Sequence, residues 1–332
     1  MRINILFITS IIIFLVAIIS IIFVNNIENY KLSDTYKYVR EEFTKDINTY
    51  NFDENIYNKN LSNIPLYFIN LPKSKNRKKF LNKQIKEYNI KNTKIIEAVY
   101  GKNKIPLKKE NMFKVVMETQ KPIIFFNNDK SATDGEIGCT LSHLNTILHA
   151  YNDNLELVII CEDDVDLYWI KTWDKTIKDI IRQAPKDWEY INLKQFASRS
   201  KQKYRKYVPG QTTACQLLNR KGMKKILNKC YKNNEFILNK NFITRYESTW
   251  INILYAICPT TLFFVNLPAT IPADFYIPGL LKSYVYEKTL IPTQNDDNEM
   301  NSTIHSDHTY LHISQNIKDI KRLHKDFKKN TK

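Results

Sequence analysis

A run of apolar residues that ends in a cluster of acids constrains the fold of this chain more than any other segment. The stretch LELVIICEDDVDLYW spans Leu155 to Trp169 and places Glu162, Asp163, Asp164 and Asp166 directly after the apolar residues. A short apolar run with β-branched residues is typical of a central strand that is buried on both faces. The end of such a strand is where an open α/β sheet presents groups to a ligand. The segment therefore predicts an α/β fold with acids at a sheet edge that faces a cleft.

Two interpretations of this acidic cluster fit the residues alone. Carboxylates so close together repel one another unless a cation or a positive side chain lies between them, which favours a divalent metal site. An acidic and solvated loop after a strand has the same composition, and short motifs predict function only loosely. Both interpretations stay open on this segment alone.

Strand and helix patterns alternate along most of the chain, which predicts an α/β sheet flanked by helices. PLYFINL and TKIIEAV indicate strands on either side of a helix that Ser74 begins, so the first unit is predicted to be a parallel strand–helix–strand unit. Further along, we predict helices over Gly135–Tyr151, Ile170–Arg182 and RKGMKKILNKCY, and strands over Trp188–Leu193 and TTACQLL.

The N-terminal segment carries no charge from Ile3 to Ile27 and exceeds the roughly 20 residues that a membrane-spanning helix needs. We interpret residues 1–27 as an uncleaved signal anchor, followed by a polar stem over residues 28–63; a cleaved signal peptide is the alternative. The expected topology is a single-pass, type II membrane protein, with its main domain in the ER or Golgi lumen or otherwise extracytoplasmic. Residues 306–332 are predicted to form a basic helical tail with a solvated face.

The formal net charge of +16 alone does not indicate a nucleic-acid partner. Lysines are spread along the whole chain and no nucleic-acid motif accompanies them, so we predict no nucleic acid among the partners. The five cysteines show no metal-type pairing and are interpreted as core residues, although an oxidising lumen would permit a disulfide.

Several motifs occur in the order seen in one enzyme family. They are YFINLPKSKNR, EAVYGK, GEIGCTLSH, LVIICEDDV and DWEYINL, and weaker similarity continues to about residue 304. In these motifs the chain resembles glycosyltransferase family 25, which includes bacterial lipooligosaccharide and animal procollagen galactosyltransferases. Two departures are Tyr100, where the family usually has Asp, and an apparent insertion between Tyr231 and Thr270. The resemblance implies a glycosyltransferase domain over residues 64–305.

The resemblance also implies a GT-A type sheet that binds a UDP-sugar donor together with Mn²⁺ or Mg²⁺ at the acidic motif. A cation held by carboxylates would neutralise the charge that develops on the departing diphosphate. We expect Asp164 to be a direct ligand and Glu162 to be a ligand or a ribose contact, with Asp163 in support. The implied reaction transfers a hexose, galactose or glucose, to a hydroxyl of a glycan or protein acceptor. The alternative is a catalytically degenerate domain that acts as a membrane-anchored binding protein.

Family enzymes of this kind are taken to be inverting, so a base must remove the proton of the acceptor hydroxyl. Asp274 in IPADFYI matches the family's late Asp and is our first candidate for this base, with Glu247 in RYESTW as the second. We expect nucleotide contacts from Asn70, Arg77 and Glu136, although Arg77 fits a structural ion pair equally well. Other residues considered are His143, interpreted as a satisfied buried histidine, and the late metal-ligand candidates His305, Asp307, His308 and His312.

Overall fold

The computed structural model describes residues 32–100, 116–118, 134–194, 202–207, 212–239, 273–294 and 309–331. The chain divides into two compact units. One comprises Phe52–Thr293, and the other combines Met1–Asn51 with Gln294–Lys332.

The larger unit is a mixed α/β structure with ten described strands. They are β1 (Leu66–Asn70), β2 (Thr93–Glu97), β3 (Val116–Glu118), β4 (Leu157–Glu162), β5 (Tyr190–Asn192), β6 (Tyr204–Lys206), β7 (Cys215–Asn219), β8 (Tyr231–Lys232), β9 (Glu235–Asn239) and β10 (Ser283–Tyr286). Its described helices are α2 (Ile56–Leu61), α3 (Lys75–Glu87), α4 (Asp134–Asn152), α5 (Ile177–Arg182), α6 (Arg220–Cys230) and α7 (Ala273–Gly279), with a 3₁₀ helix over Leu167–Thr172.

Seven of these strands form one sheet in the order β2-β1-β4-β7-β5-β10-β6. β1 pairs in parallel with both β2 and β4, as the strand–helix–strand pattern predicted for the first pair. β7 runs antiparallel to β4 and β5, and β10 is parallel to β5 but antiparallel to β6. The short strands β3, β9 and β8 form a second sheet.

Helices cover both faces of the seven-stranded sheet, which confirms the predicted α/β sheet flanked by helices. Because successive side chains of a strand point to opposite faces, the central strands contribute alternate residues to two apolar clusters. One cluster joins strand residues to α4, α6 and α7 through Tyr67, Ile69, Val158, Ile160, Leu144, Met223 and Ile277. The other joins the alternate strand residues to α2, α3 and α5 through Leu66, Phe68, Ile159, Cys161, Leu61, Leu81 and Ile180.

The strand order places a topological switch at β1. From β1 the chain passes through α3 to β2 on one side, and later reaches β4 on the other side after α4. Ligands of open α/β sheets bind outside the carboxyl ends of the strands at such a point. In the register Ile69 pairs with Glu162, so Asn70 and Asp163 leave the sheet side by side.

The helix predicted over Ile170–Arg182 is wrong as a continuous element. The structure has a 3₁₀ helix over Leu167–Thr172, an extended residue at Trp173 and then α5. Two sets of contacts cause the break, one at Thr176 and one at Trp173. The Thr176 side chain accepts the amide of Asp179 while the Asp179 side chain accepts the amide of Thr176, which is a capping box that begins a new helix. The buried indole of Trp173 donates to the Leu290 carbonyl and fixes the extended residue.

The smaller unit contains a helix over residues 32–47 (α1) and a C-terminal helix, α8 (Thr309–Asn330). α8 buries Ile313, Ile317, Ile320, Leu323 and Phe327, which recur at helical spacing. α8 also contacts α1. The rings of Phe43 and His324 stack with their centroids 4.0 Å apart, and Asp46 accepts hydrogen bonds from His324 and Lys328. The tail predicted as a basic helix is therefore helical, but one of its faces is packed.

The predicted membrane anchor, residues 1–27, lies outside the described residues. Among the helices that the structure does describe, none combines the length and the apolar character needed to span a bilayer.

Candidate active site

The three acids of the CEDD motif begin at the carboxyl end of β4 and face three different surroundings. Glu162 is the last residue of the strand, and the chain turns at Asp163 and Asp164. The turn therefore interrupts the alternation of side chains that an extended strand would continue through Asp164.

Asp163 is held by the first strand and the first helix of the sheet. Its side chain is buried, with 4% of the residue exposed. The Asn70 amide donates to one carboxylate oxygen at 2.6 Å, and the Arg77 guanidinium donates to the other at 2.8 Å. Burial raises the pKa of Asp163, and the charge of Arg77 and the hydrogen bond from Asn70 offset only part of this effect. With both oxygens occupied, Asp163 ties β1, α3 and β4 together.

Glu162 turns toward β7 and α4. The Thr213 hydroxyl donates to Oε1 of Glu162 at 2.9 Å, and Nε2 of His143 lies 3.5 Å from the same oxygen. Burial raises the pKa of Glu162, but the neighbouring His143 and Thr213 side chains and the charge of Arg77 outweigh burial and leave the pKa lowered. Glu162 is therefore an ionised acceptor within a polar cluster.

Asp164 is the acid that its surroundings satisfy least. Its Oδ1 atom is enclosed and has no hydrogen-bond partner within the part of the chain that the structure describes. Burial raises the pKa of Asp164 to about 7, an effect that the positive charge of Arg77 partly offsets and that Glu162 and Asp163 increase. An enclosed carboxylate oxygen of this kind costs free energy unless a cation or a donor comes to it.

Lys194 supplies a second positive charge near the acids. It follows β5 with only 2% of its surface exposed, and its ammonium group donates to the Thr293 hydroxyl at 2.9 Å. Its charge lowers the pKa of Asp164, as that of Arg77 does. Three carboxylates are thus opposed by the positive charges of Arg77 and Lys194, which leaves the cluster negative when Asp164 is ionised.

Asp166, the fourth acid of the segment, has a structural role. It is fully buried, and its carboxylate accepts the Tyr168 amide at 3.3 Å and the Trp169 indole at 3.1 Å. Its own amide donates to the Pro292 carbonyl at 2.8 Å. Asp166 therefore caps the 3₁₀ helix and does not join the other three acids.

The remaining candidate residues are only partly described. Asp274 stands in the first turn of α7, which packs against α4, and the Tyr207 hydroxyl donates to the Asp274 carbonyl at 2.8 Å. Glu247, His305, Asp307 and His308 lie outside the described residues, and so do the side chains of Glu136 and His312. The base and nucleotide-contact roles of these residues stay predictions.

Comparison with known proteins identifies the family of this site. A family model described as "Glycosyltransferase family 25 (LPS biosynthesis protein)" matches residues 63–252, more than half of the chain. The chain belongs to glycosyltransferase family 25. The matched range contains β1, α3, α4 and β4, which carry Asn70, Arg77, His143 and Glu162, and it also contains Lys194 and Thr213. The prediction of family membership is confirmed, and with it the presence of a glycosyltransferase domain.

Two curated proteins are similar to the chain over a shorter segment. "Procollagen galactosyltransferase 2" of Homo sapiens is 33% identical over 131 residues, which is 39% of this chain and 20% of that protein. "Procollagen galactosyltransferase 2" of Mus musculus is 31% identical over 131 residues, with the same coverage. The matched segment thus spans about a fifth of the curated relatives.

Sequence reasoning missed three residues of the site. Thr213 donates to Glu162, Lys194 lowers the pKa of Asp164, and Gln216 contacts His143. Gln216 lies in the middle of the apolar strand TTACQLL, and its side-chain nitrogen lies 2.6 Å from Nδ1 of His143. The sequence contained two signals of these residues. One is a polar residue inside an apolar strand, and the other is a lysine directly after WEYINL. Their partners depend on the pairing of β4 with β7, which the sequence does not specify.

Proposed function

We propose that this chain is a metal-dependent, inverting hexosyltransferase of the GT-A type. It would move galactose or glucose from a UDP-sugar to a hydroxyl of a glycan or protein acceptor. One observation carries the proposal, namely the enclosed Oδ1 atom of Asp164, which has no hydrogen-bond partner among the described residues. It lies at the switch point of the sheet, inside the range that matches the family. The names of the curated relatives, which are galactosyltransferases, support galactose as the first donor sugar to test.

The residues at this edge fit a hard divalent cation such as Mn²⁺ or Mg²⁺. Such ions bind carboxylate oxygens and take phosphate oxygens and water for the rest of their shell, so one or two protein carboxylates are enough. We assign the direct contact to Asp164, because both oxygens of Asp163 are occupied and Glu162 faces His143 and Thr213. When bound, the cation would offset the negative charge that develops on the leaving diphosphate.

The other residues of the cluster position Asp164 and balance its charge. Arg77 and Asn70 hold Asp163 at the turn, which fixes the backbone from which Asp164 projects. Lys194 and Arg77 lower the pKa of Asp164 and so favour its ionised form. In the proposed reaction, a base removes the proton of the acceptor hydroxyl as that oxygen attacks the anomeric carbon from the face opposite the leaving UDP.

The test separates donor binding from transfer in Asp164→Asn, which conserves volume and removes one ligand charge. We expect Mn²⁺-dependent binding of UDP-galactose, measured by calorimetry, to weaken, and transfer to fall roughly 100-fold or more. Asp34→Asn is the matched control, since Asp34 is an exposed acid of α1, in the other unit. Unchanged transfer by Asp164→Asn would overturn the metal assignment. Donor binding by the unaltered chain without any transfer or donor hydrolysis would instead favour the degenerate binding domain.

A further inference from the structure

Three potential metal ligands of different chemistry meet beside the acidic turn. Cys139 and His143 lie one turn apart on α4, and both face Glu162 at the end of β4. The cysteine sulfur, an imidazole nitrogen and a carboxylate oxygen lie within 4.8 Å of one another. Cys139 is half-buried, whereas His143 is buried.

His143 contributes an enclosed atom without a hydrogen-bond partner. The residue is 1% exposed, and its Nε2 atom has no such partner in the described part of the chain. This atom lies 3.5 Å from Oε1 of Glu162. Two ligand atoms at 2.0 to 2.1 Å from a tetrahedral Zn²⁺ lie about 3.4 Å apart, so the observed separation suits a shared ion.

Outer partners hold two of the three ligands in place. Gln216 lies against Nδ1 of His143 at 2.6 Å, and the Thr213 hydroxyl donates to Oε1 of Glu162 at 2.9 Å. The Gln216 atom at this distance is the amide nitrogen, which donates to Nδ1 and leaves the imidazole proton on Nε2. Rotating the amide by 180° would bring its oxygen, which has no hydrogen-bond partner among the described residues, to Nδ1 and leave the lone pair of Nε2 directed at the group. Such outer contacts set the tautomer and the orientation of metal-binding histidines.

We propose that Cys139, His143 and Glu162 form a Zn²⁺ site that is separate from the donor cation site at Asp164. A thiolate with an imidazole favours zinc over Mn²⁺ or Mg²⁺, which take oxygen ligands. Three protein ligands leave a fourth position for water. The bound ion would join α4 to the end of β4, next to the turn that carries Asp164. This proposal does not rest on the proposed transferase activity.

The test measures bound zinc rather than activity. The full chain is stripped of metal, incubated with Zn²⁺ in the presence of excess Mg²⁺, passed through a desalting column and analysed for metal by mass spectrometry. We expect about one zinc per chain and a rise in Tm on addition of Zn²⁺. In Cys139→Ser and His143→Gln, zinc affinity should fall by roughly tenfold or more.

Four further measurements serve as controls. Cys230→Ala, which removes a buried thiol of α6 away from the group, should keep its zinc. Asp164→Asn should also keep its zinc while losing Mn²⁺-dependent donor binding, so the two metal proposals can fail independently. Co²⁺ in place of Zn²⁺ should give a thiolate charge-transfer absorption that Cys139→Ser lacks.

Metal-free Tm values show whether each variant is folded. Absence of zinc from the unaltered chain, or equal zinc binding by the folded Cys139→Ser and His143→Gln variants, would overturn the site.

Discussion

Asp163 and Asp164 are neighbours with the same side chain, but their carboxylates differ in hydrogen bonding. Each oxygen of Asp163 accepts from one donor, which is the charged Arg77 for one oxygen and the neutral Asn70 for the other. The difference arises because Asp163 leaves the sheet beside Asn70 and within reach of Arg77, whereas Asp164 is the next residue of the turn. The same arrangement makes the ionisation of Asp164 depend on Arg77, since burial alone would favour its neutral form.

Arg77→Gln therefore provides a pH-dependent prediction. Only the ionised carboxylate binds the cation, so Mn²⁺ affinity should fall by about tenfold per pH unit below the pKa of Asp164, which is about 7. Gln can still donate to Asp163 but lacks the charge that lowers the pKa of Asp164. The fall in Mn²⁺ affinity of Arg77→Gln should therefore begin at a higher pH, as measured by calorimetry between pH 6 and 9.

The control for this prediction is Arg182→Gln. Arg182 forms an ion pair with Asp179 on the exposed side of α5, so its loss removes a positive charge from the surface only. Its pH profile should match that of the unaltered chain. Identical profiles for Arg77→Gln and the unaltered chain would remove Arg77 from the control of Asp164.

The assignment of the base is also tested at single residues. Asp274→Asn should leave Mn²⁺-dependent donor binding nearly intact and abolish transfer, because a base acts on the acceptor and not on the nucleotide. Glu247→Gln is the paired variant and should transfer normally if Asp274 is the base. Loss of donor binding in Asp274→Asn would exclude that role and leave Glu247 as the next candidate.

For single residues, the sequence predicts which side chains belong to the site better than it predicts their contacts. The acids, Asn70 and Arg77 could be selected because each follows a strand or begins the helix after it. Gln216 and Thr213 could not, because their contacts arise from the antiparallel register of β4 with β7. Pairing between strands far apart in sequence depends on tertiary packing, which local patterns do not encode.

Among the elements, α6 shows how closely a helix packs on the sheet. The helix begins with Asn219, whose side chain accepts the amide of Gly222. A Cβ atom placed on Gly222 would lie 2.5 Å from the Glu189 carbonyl oxygen, which is backbone and cannot rotate away. Glycine at this position is therefore required by the approach of the helix to the strand that precedes Lys194.

Gly222→Ala should destabilise the larger unit by about 1 to 3 kcal/mol, because the helix must shift away from the strand. Thermal unfolding should show a Tm lower by several degrees. Lys224→Ala is the control, since Lys224 is exposed on the same helix and alanine favours helix formation. An unchanged Tm for Gly222→Ala would mean that the helix and strand can separate at little cost.

Long elements with a regular apolar pattern agree with their predictions, whereas the short elements after Asp166 do not. The strand of Leu157–Glu162 and the helix of Asp134–Asn152 agree with their predictions, because burial on one or both faces determines their sequences. The break at Trp173 was missed because its apolar residues continue a helical pattern. Only the capping box of Thr176 and Asp179, which the sequence also contained, marked a new start.

For the whole molecule, the association of α1 with α8 constrains topology. Asp46, near the end of α1, accepts hydrogen bonds from His324 and Lys328 of α8, and the rings of Phe43 and His324 stack. The two helices belong to one compact unit. The segment after the predicted anchor and the C-terminal helix must therefore lie on the same side of any membrane that the chain crosses.

This association sharpens the predicted type II topology. If residues 3–27 span the bilayer and the stem is lumenal, then a tag placed after Lys332 and the domain between Phe52 and Thr293 should both resist protease in sealed microsomes. Detergent should expose both to digestion. A chain that lacks residues 3–27 is the control and should be digested without detergent, because nothing directs it into the lumen.

Digestion of the full chain without detergent would contradict the topology. Protection of the domain with loss of the tag would instead contradict the pairing of α1 with α8 in the membrane-bound protein.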